Sequence, residues 1–152
     1  MILYYTRGKK TKVFAEALGE VLGLEVYELE SDLNNKGNIG FIFKALSLVF
    51  SGKGYTVSNM PENLPEEIFL CTPIWGGQVA GPPRFFLENA DLKNTTVNLL
   101  LTANMPVDKY KEDAMELLYK MQCKPGRAFI FATSNKVPPE IETIKEQLRE
   151  IL

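Results

Sequence analysis

The strongest constraint on this chain is a regular alternation. Short apolar runs are followed, again and again, by longer segments with helical spacing. Ile2-Leu3-Tyr4-Tyr5 suits a buried strand. Residues 11–22 then place Val13, Phe14, Ala17, Leu18, Val21 and Leu22 on one side of a helix, with Gly23 as its cap. Residues 24–29 alternate in character and read as a second strand, nearer an edge. Residues 39–50 read as a second helix, closed by Ser51-Gly52. Residues 67–71 form the third strand, and a glycine-rich loop covers 72–81. Pro82-Pro83 opens a helix running to about residue 90, as proline does at a first turn. Residues 96–101 and 128–132 are the fourth and fifth strands, with a helix at 109–121 between them. Residues 139–152 form a last amphipathic helix, striped by Ile141, Ile144, Leu148, Ile151 and Leu152.

Five strands and five helices in alternation define an α/β class. The central strands lack a polar face, so the sheet is expected to be parallel, covered on both sides and doubly wound. Right-handed crossovers leave few topologies. The length of 152 residues suits one domain, 1–152, with no linker or repeat to divide it. Ligands of such sheets sit beyond the carboxyl ends of the strands. The loops after strands one, three and four are therefore the ones that matter.

Composition narrows the chemistry. The formal net charge is −2, which lacks the basic excess of a general nucleic-acid binder. It also lacks the strong acidity of a carrier steered by charge to a basic partner. Cys71 and Cys123 fit no metal or CxxC spacing, and so sparse a cysteine content points to a reducing, cytoplasmic setting. The start MILYYTR has no basic stretch before an apolar run, so no signal peptide is expected. The apolar segment 40–50 is broken by Lys44 and is too short for a membrane span. There is no histidine, which removes Ser-His-Asp triads, Cys-His pairs and histidine metal sites. No catalytic side chain and no metal site stand out. Chemistry near neutral pH must then come from a cofactor, or from carboxylates, lysines or tyrosines.

The first strand runs into Thr6-Arg7-Gly8-Lys9-Lys10-Thr11, and a helix starts at once. A helix start offers unpaired N–H groups and the positive end of the dipole, which suits a phosphate. Thr6 and Thr11 add hydroxyls, and Arg7, Lys9 and Lys10 add charge. Equally, Thr11 could serve as a plain cap and the lysines could be solvated. A P-loop is excluded because Leu3 stands where its first glycine belongs, and Gly8 alone makes no GxGxxG. The third strand runs into Thr72-Pro73-Ile74-Trp75-Gly76-Gly77-Gln78, where the sole tryptophan lies beside two glycines. A flat aromatic there can stack on a ligand, and the glycines allow close backbone approach. Packing of Trp75 on a neighbouring helix is the competing reading. Two such loops on adjacent strand ends favour the ligand.

These residues resemble the flavodoxin family, over essentially the whole chain. The order of elements is similar to that family's short-chain, five-stranded domain, which implies strand order 2-1-3-4-5 with helices on both faces. The family's phosphate loop reads Ser/Thr-x-Thr-Gly-Asn-Thr. Thr6 and Thr11 match its ends, and Gly8, Lys9 and Lys10 replace the inner Thr-Gly-Asn. One hydroxyl donor is lost and the glycine is displaced, while the lysines add charge. Thr72-Pro73-Ile74-Trp75-Gly76 resembles the family's Thr/Ser-Pro-x-Trp/Tyr-Gly/Trp segment. The resemblance implies flavin mononucleotide (FMN) as cofactor, with Trp75 against its ring. It also implies backbone from Gly76-Gly77 near the N5 edge, where a peptide flip can stabilise the semiquinone. Thr102-Ala103-Asn104, continuing into Met105-Pro106, would border the pyrimidine side. Tyr110 is a weaker match for the ring's other face, and a tyrosine on a helix surface is the alternative.

The implied function is electron transfer through non-covalently bound FMN, with a redox partner protein. A reductase passing hydride from NAD(P)H to a quinone or flavin is the alternative, and a flavin-free interaction domain is a third reading. Phe41, Phe43, Leu46, Leu48, Val49 and Phe50 make the second helix apolar on several sides, so it could serve a homodimer. Cys71 reads as inert core. Glu140, Glu142, Glu146 and Glu150 read as a solvated helix face.

Overall fold

The structure is a computed structural model and describes residues 1–32, 56–133 and 140–152. Strand β1 (Ile2–Tyr4) lies between β2 (Val26–Glu28) and β3 (Glu67–Trp75), and β5 (Thr96–Ala103) and β6 (Lys124–Ala132) follow. The sheet order is β2-β1-β3-β5-β6, and every pair along it is parallel. The strand β4 (Gln78–Val79) pairs antiparallel with the end of β3. Leaving that short hairpin aside, this is the doubly wound 2-1-3-4-5 order of the flavodoxin-like fold. The helices described are α1 (Lys10–Leu22), α2 (Gly81–Asn89), α3 (Asp108–Lys120) and α4 (Ile141–Ile151). The helix expected over 39–50, and with it the proposed dimer surface, falls outside the described residues, as does Pro139.

Each strand feeds both faces by its period of two. Leu3, Tyr5, Leu70 and Leu99 pack with Phe86 and Leu87 of α2 and with Ala114 and Leu118 of α3. Ile2, Tyr4, Phe69, Cys71 and Leu100 pack with Phe14, Ala17 and Leu18 of α1 and with Ile144 and Leu148 of α4. Helix α1 lies close because Gly19 has no side chain: a Cβ there would collide with Val26 Cγ2 and come within 3.1 Å of the Leu24 carbonyl.

Two expectations are corrected. Residues 72–75 are strand rather than loop, because β3 continues to Trp75 and turns back through Gly76 and Gly77. Both glycines have positive φ, 56° and 85°, the backbone that a two-residue hairpin turn needs. The last strand starts at Lys124 rather than Ala128, and it contains a bulge that shifts register between Val97 and Leu99 of its neighbour. Among the described residues, no helix is long and apolar enough to cross a membrane.

Candidate functional site

The carboxyl edge of the sheet brings the anticipated loops together. Tyr5, fully buried, directly follows β1, and its ring meets Trp75 edge-on at 5.6 Å between centroids. Thr6, also buried, follows and leads into the turn before α1. Lys9 is the N-cap of α1, in left-handed backbone with φ 61° and ψ −4°, and no side chain caps the helix. The N-cap side chain of Lys9 thus offers no acceptor to the first-turn N–H groups of α1. Thr11 is not that cap. It lies inside the first turn, 2 % exposed, and its hydroxyl shares a hydrogen bond of 2.9 Å with Thr102 Oγ1 on β5.

The left-handed residue falls where the resembling motif carries glycine. Gly8 has open space around its Cα, so a side chain fits there. Lysine bears a steric cost in that conformation. Replacing Lys9 by glycine is expected to raise stability by about 0.5–1 kcal/mol, the relief of left-handed strain less the entropy of glycine. Urea midpoints of the two proteins read this directly, and a lower midpoint for the variant would show that contacts of the lysine side chain outweigh its backbone strain.

The second and third loops close on the first. Thr72 is fully buried, and its hydroxyl donates to the Pro73 carbonyl at 3.0 Å. Ile74 and Trp75 are half-buried, and Gly76 is exposed with nothing within 4 Å of a notional Cβ. Thr102 and Ala103 are buried at the end of β5. Asn104 follows, exposed, and its Oδ1 accepts from Lys10 Nζ at 3.4 Å and from Thr133 Oγ1 at 3.1 Å. Loops one, three and the end of β6 are thus tied through one amide. Thr133 and Tyr5 were not anticipated. Thr133 lies just past an apolar strand with no motif around it, whereas Tyr5 was legible as the last residue of a buried run.

Tyr110 is half-buried beside the hairpin turn, its Cε1 3.6 Å from where a Cβ on Gly77 would stand. It also lines a cleft of 380 Å³ between that turn, Arg84 of α2 and the Asp113–Lys120 side of α3. No residue of 6–11 or 102–104 lines this cleft.

Among the described residues, no acid–base pair is built into the edge. Burial pushes the Cys71 thiol far up, so it stays protonated and inert. Burial, then the 2.6 Å hydrogen bond to Glu28, pushes the Tyr4 phenol up as well. Among the described residues, no cluster of three His, Cys, Asp or Glu could hold a metal ion.

No protein-family model and no curated protein matches this sequence. Solved structures do match in fold. A provisionally assigned flavoprotein from Bacteroides eggerthii DSM 20697 superposes with TM-score 0.72 at 18 % identity, over 99 % of this chain and 95 % of that one. A flavoprotein from Lactobacillus acidophilus NCFM, solved in complex with FMN, superposes with TM-score 0.67 at 21 % identity, over 85 % of this chain and 90 % of that one. A flavodoxin, WrbA-like protein from Agrobacterium tumefaciens gives TM-score 0.54 at 14 % identity, over 99 % and 92 %. The chain has the flavodoxin-like fold.

Proposed function

We propose that this chain is a single flavodoxin-like domain that binds FMN and works as a redox protein of the cytoplasm. The observation that carries the reading is the start of α1, entered through a left-handed residue without a side-chain cap, with Tyr5 just ahead of it in ring contact with Trp75. The residues fit the cofactor. The N–H groups of that turn and the Thr6 hydroxyl receive the phosphate, and Arg7, Lys9 and Lys10 supply charge for it. Trp75 offers a half-buried ring, held edge-on by Tyr5, as a stacking wall. At Gly76 the backbone is open, with nothing within 4 Å of a notional Cβ, so it would let a ring come close. Thr102, Ala103 and Asn104 border the remaining edge. When bound, FMN supplies the redox chemistry, and the chain anchors, orients and shields it. The Lactobacillus acidophilus neighbour, solved with FMN, supports the same reading.

Titration of the purified protein with FMN, followed by flavin fluorescence, tests it. Saturable quenching that riboflavin reproduces poorly supports both the phosphate and the ring subsites. No quenching at high protein concentration removes flavin from the account and leaves an interaction domain. Within that assay, Trp75→Ala is expected to weaken FMN by about 1–2 kcal/mol, roughly tenfold in Kd, through lost stacking. Unchanged affinity would remove Trp75 from the site.

The 380 Å³ cleft beside the Gly76-Gly77 turn favours a second version of the reading. Its size lies within the range of small-molecule sites. There a second reactant could meet the flavin, as in a reductase fed by NAD(P)H. Oxidation of NAD(P)H by the FMN-loaded protein distinguishes this from a carrier that exchanges electrons only with proteins.

A further inference from the structure

A polar tie crosses the carboxyl edge between the end of β6 and the loop after β5. Thr133 directly follows β6 and is 5 % exposed. Its N–H donates to the Ala103 carbonyl at 2.8 Å, so it continues the ladder one step past the paired residues Ala103 and Ala132. That sets its hydroxyl beside Asn104, the first exposed residue after β5, and the hydroxyl donates to Asn104 Oδ1 at 3.1 Å. Lys10 Nζ, from the first turn of α1, donates to the same oxygen at 3.4 Å. An ammonium has no lone pair to accept with, so the atom that faces Lys10 is the amide oxygen. The carboxamide is therefore oriented. Its oxygen is turned to α1 and to Thr133, and its NH2 group has no hydrogen-bond partner among the described residues. Thr102 and Ala103, ahead of it, are buried, and the Thr102 hydroxyl is engaged with Thr11 at 2.9 Å. A donor group held from behind, at the strand ends where ligands of such sheets sit, is suited to an acceptor on the ligand.

We propose that Thr133 is a positioning residue, which holds Asn104 so that its NH2 group donates to the C2 carbonyl of the FMN ring. The inference rests on the flavin reading and names one contact within it. The chemistry of FMN selects the carbonyl. The ribityl phosphate leaves the ring at N10, on the side of N1 and C2=O, whereas C4=O lies on the other side, next to N5. The loop bearing Asn104 is tied to the start of α1, where the phosphate is received in that reading. Gly76-Gly77 stand at the N5 edge in the same reading, so C2=O falls to Asn104. Asn104 is exposed, and loss of the Thr133 hydroxyl leaves no buried acceptor without a partner. What the hydroxyl provides is a fixed amide, which meets the ligand without first having to be ordered.

Two measurements test this. The first uses the flavin-free protein and nitrogen NMR relaxation of the Asn104 side-chain amide. The NH2 group is expected to be restrained in the wild-type protein, to gain fast motion in Thr133→Val, and to return to the wild-type value in Thr133→Ser. Equal motion in all three proteins overturns the proposal. The second compares FMN with its 2-thio and 4-thio analogues, in which sulfur, a weak acceptor, replaces one carbonyl oxygen. The wild-type protein is expected to lose about fivefold more affinity to the 2-thio than to the 4-thio change. That excess should fall below about twofold in Thr133→Val, and Thr133→Ser should restore it. It should also vanish in Asn104→Asp, which keeps an acceptor for Thr133 but has no proton to give. A ratio of affinities within one protein cancels any general loosening of the site, which a merely structural role for Thr133 would produce. An excess absent from the wild-type protein, or equal in all four proteins, overturns the proposal. Failure of the wild-type protein to bind FMN would instead remove the flavin reading and the carbonyl contact with it, and the relaxation measurement would still decide whether Thr133 holds the amide.

Discussion

Replacing Phe14 by alanine is expected to cost about 3–5 kcal/mol, a large part of the roughly 5–15 kcal/mol that holds a domain folded. Phe14 is 1 % exposed on the inner face of α1. Its ring meets Phe131 of β6 at 5.3 Å, tilted by 42°, within the cluster formed by Ile2, Tyr4, Leu18, Leu100 and Ile144. That cluster joins strands at both sides of the sheet to α1 and α4, so the surrounding walls are backbone-anchored and collapse only partly into the void. The residual cavity adds to the lost transfer free energy. Thermal unfolding should fall by about 10–15 °C. The position also bears on function. Phe14 lies one helical turn beyond Thr11, whose hydroxyl locks the start of α1 to Thr102. Loosening that anchor should weaken FMN at temperatures where the variant is still folded. A loss under about 1 kcal/mol would mean that the α1–β6 contact repacks freely, and that the phosphate loop takes its position from elsewhere.

Much of this arrangement was legible in the residues, for reasons that can be named. A sheet buried on both faces leaves continuous apolar runs, and Ile68-Phe69-Leu70-Cys71 and Leu99-Leu100-Leu101 could be little else. Helical spacing exposed α1 and α4 because each packs through one stripe. The hairpin at Gly76-Gly77 carries conflicting local signals. Two glycines between Ile74-Trp75 and Gln78-Val79 form a two-residue turn signal, but Pro73 ahead of them suggests a loop. Pro73 is accommodated because its carbonyl, not a missing N–H, is what the return strand uses: Ala80 N donates to Pro73 O at 3.1 Å. The start of β6 was hidden because Lys124-Pro125-Gly126 has the composition of a turn, and only the pairing with Thr96 and Val97 makes it strand. In the site, loop identity was readable from motif spacing, whereas Lys9 as the left-handed residue was not. Lysine has no preference for that backbone, and the sequence placed the freedom on Gly8. The link through Asn104 to Lys10 and Thr133 is tertiary and leaves no local pattern.

The bulge in β6 gives the second large effect. Gly126→Ala is expected to destabilise the protein by about 2–4 kcal/mol. A Cβ at this position would run into Asn98 Oδ1 and stand 2.9 Å from Asn98 Cγ and 3.0 Å from the Val97 carbonyl. Asn98 cannot yield without loss. It is 2 % exposed, its amide donates to Glu67 Oε1 at 2.9 Å, and its Oδ1 accepts from Arg127 N at 2.9 Å. The side chain thus stands in for the ladder partner that the extra residue of the bulge removes. Moving it leaves the part-buried Arg127 N–H and the buried Asn98 amide unsatisfied together. A double-mutant cycle in urea separates the causes. In an Asn98→Ala background the alanine at 126 meets little but the Val97 carbonyl, so its own cost should fall below about 1 kcal/mol, giving a coupling of about 1 kcal/mol or more. Additive costs would show that the backbone of Gly126, rather than its contact with Asn98, sets the bulge. The bulge also fixes the register that carries Ala132 opposite Ala103 and Thr133 to Asn104. Its loss at the amino end of β6 should therefore reach the site at the carboxyl end as weaker FMN binding, because a strand that slips by one residue turns every side chain to the other face.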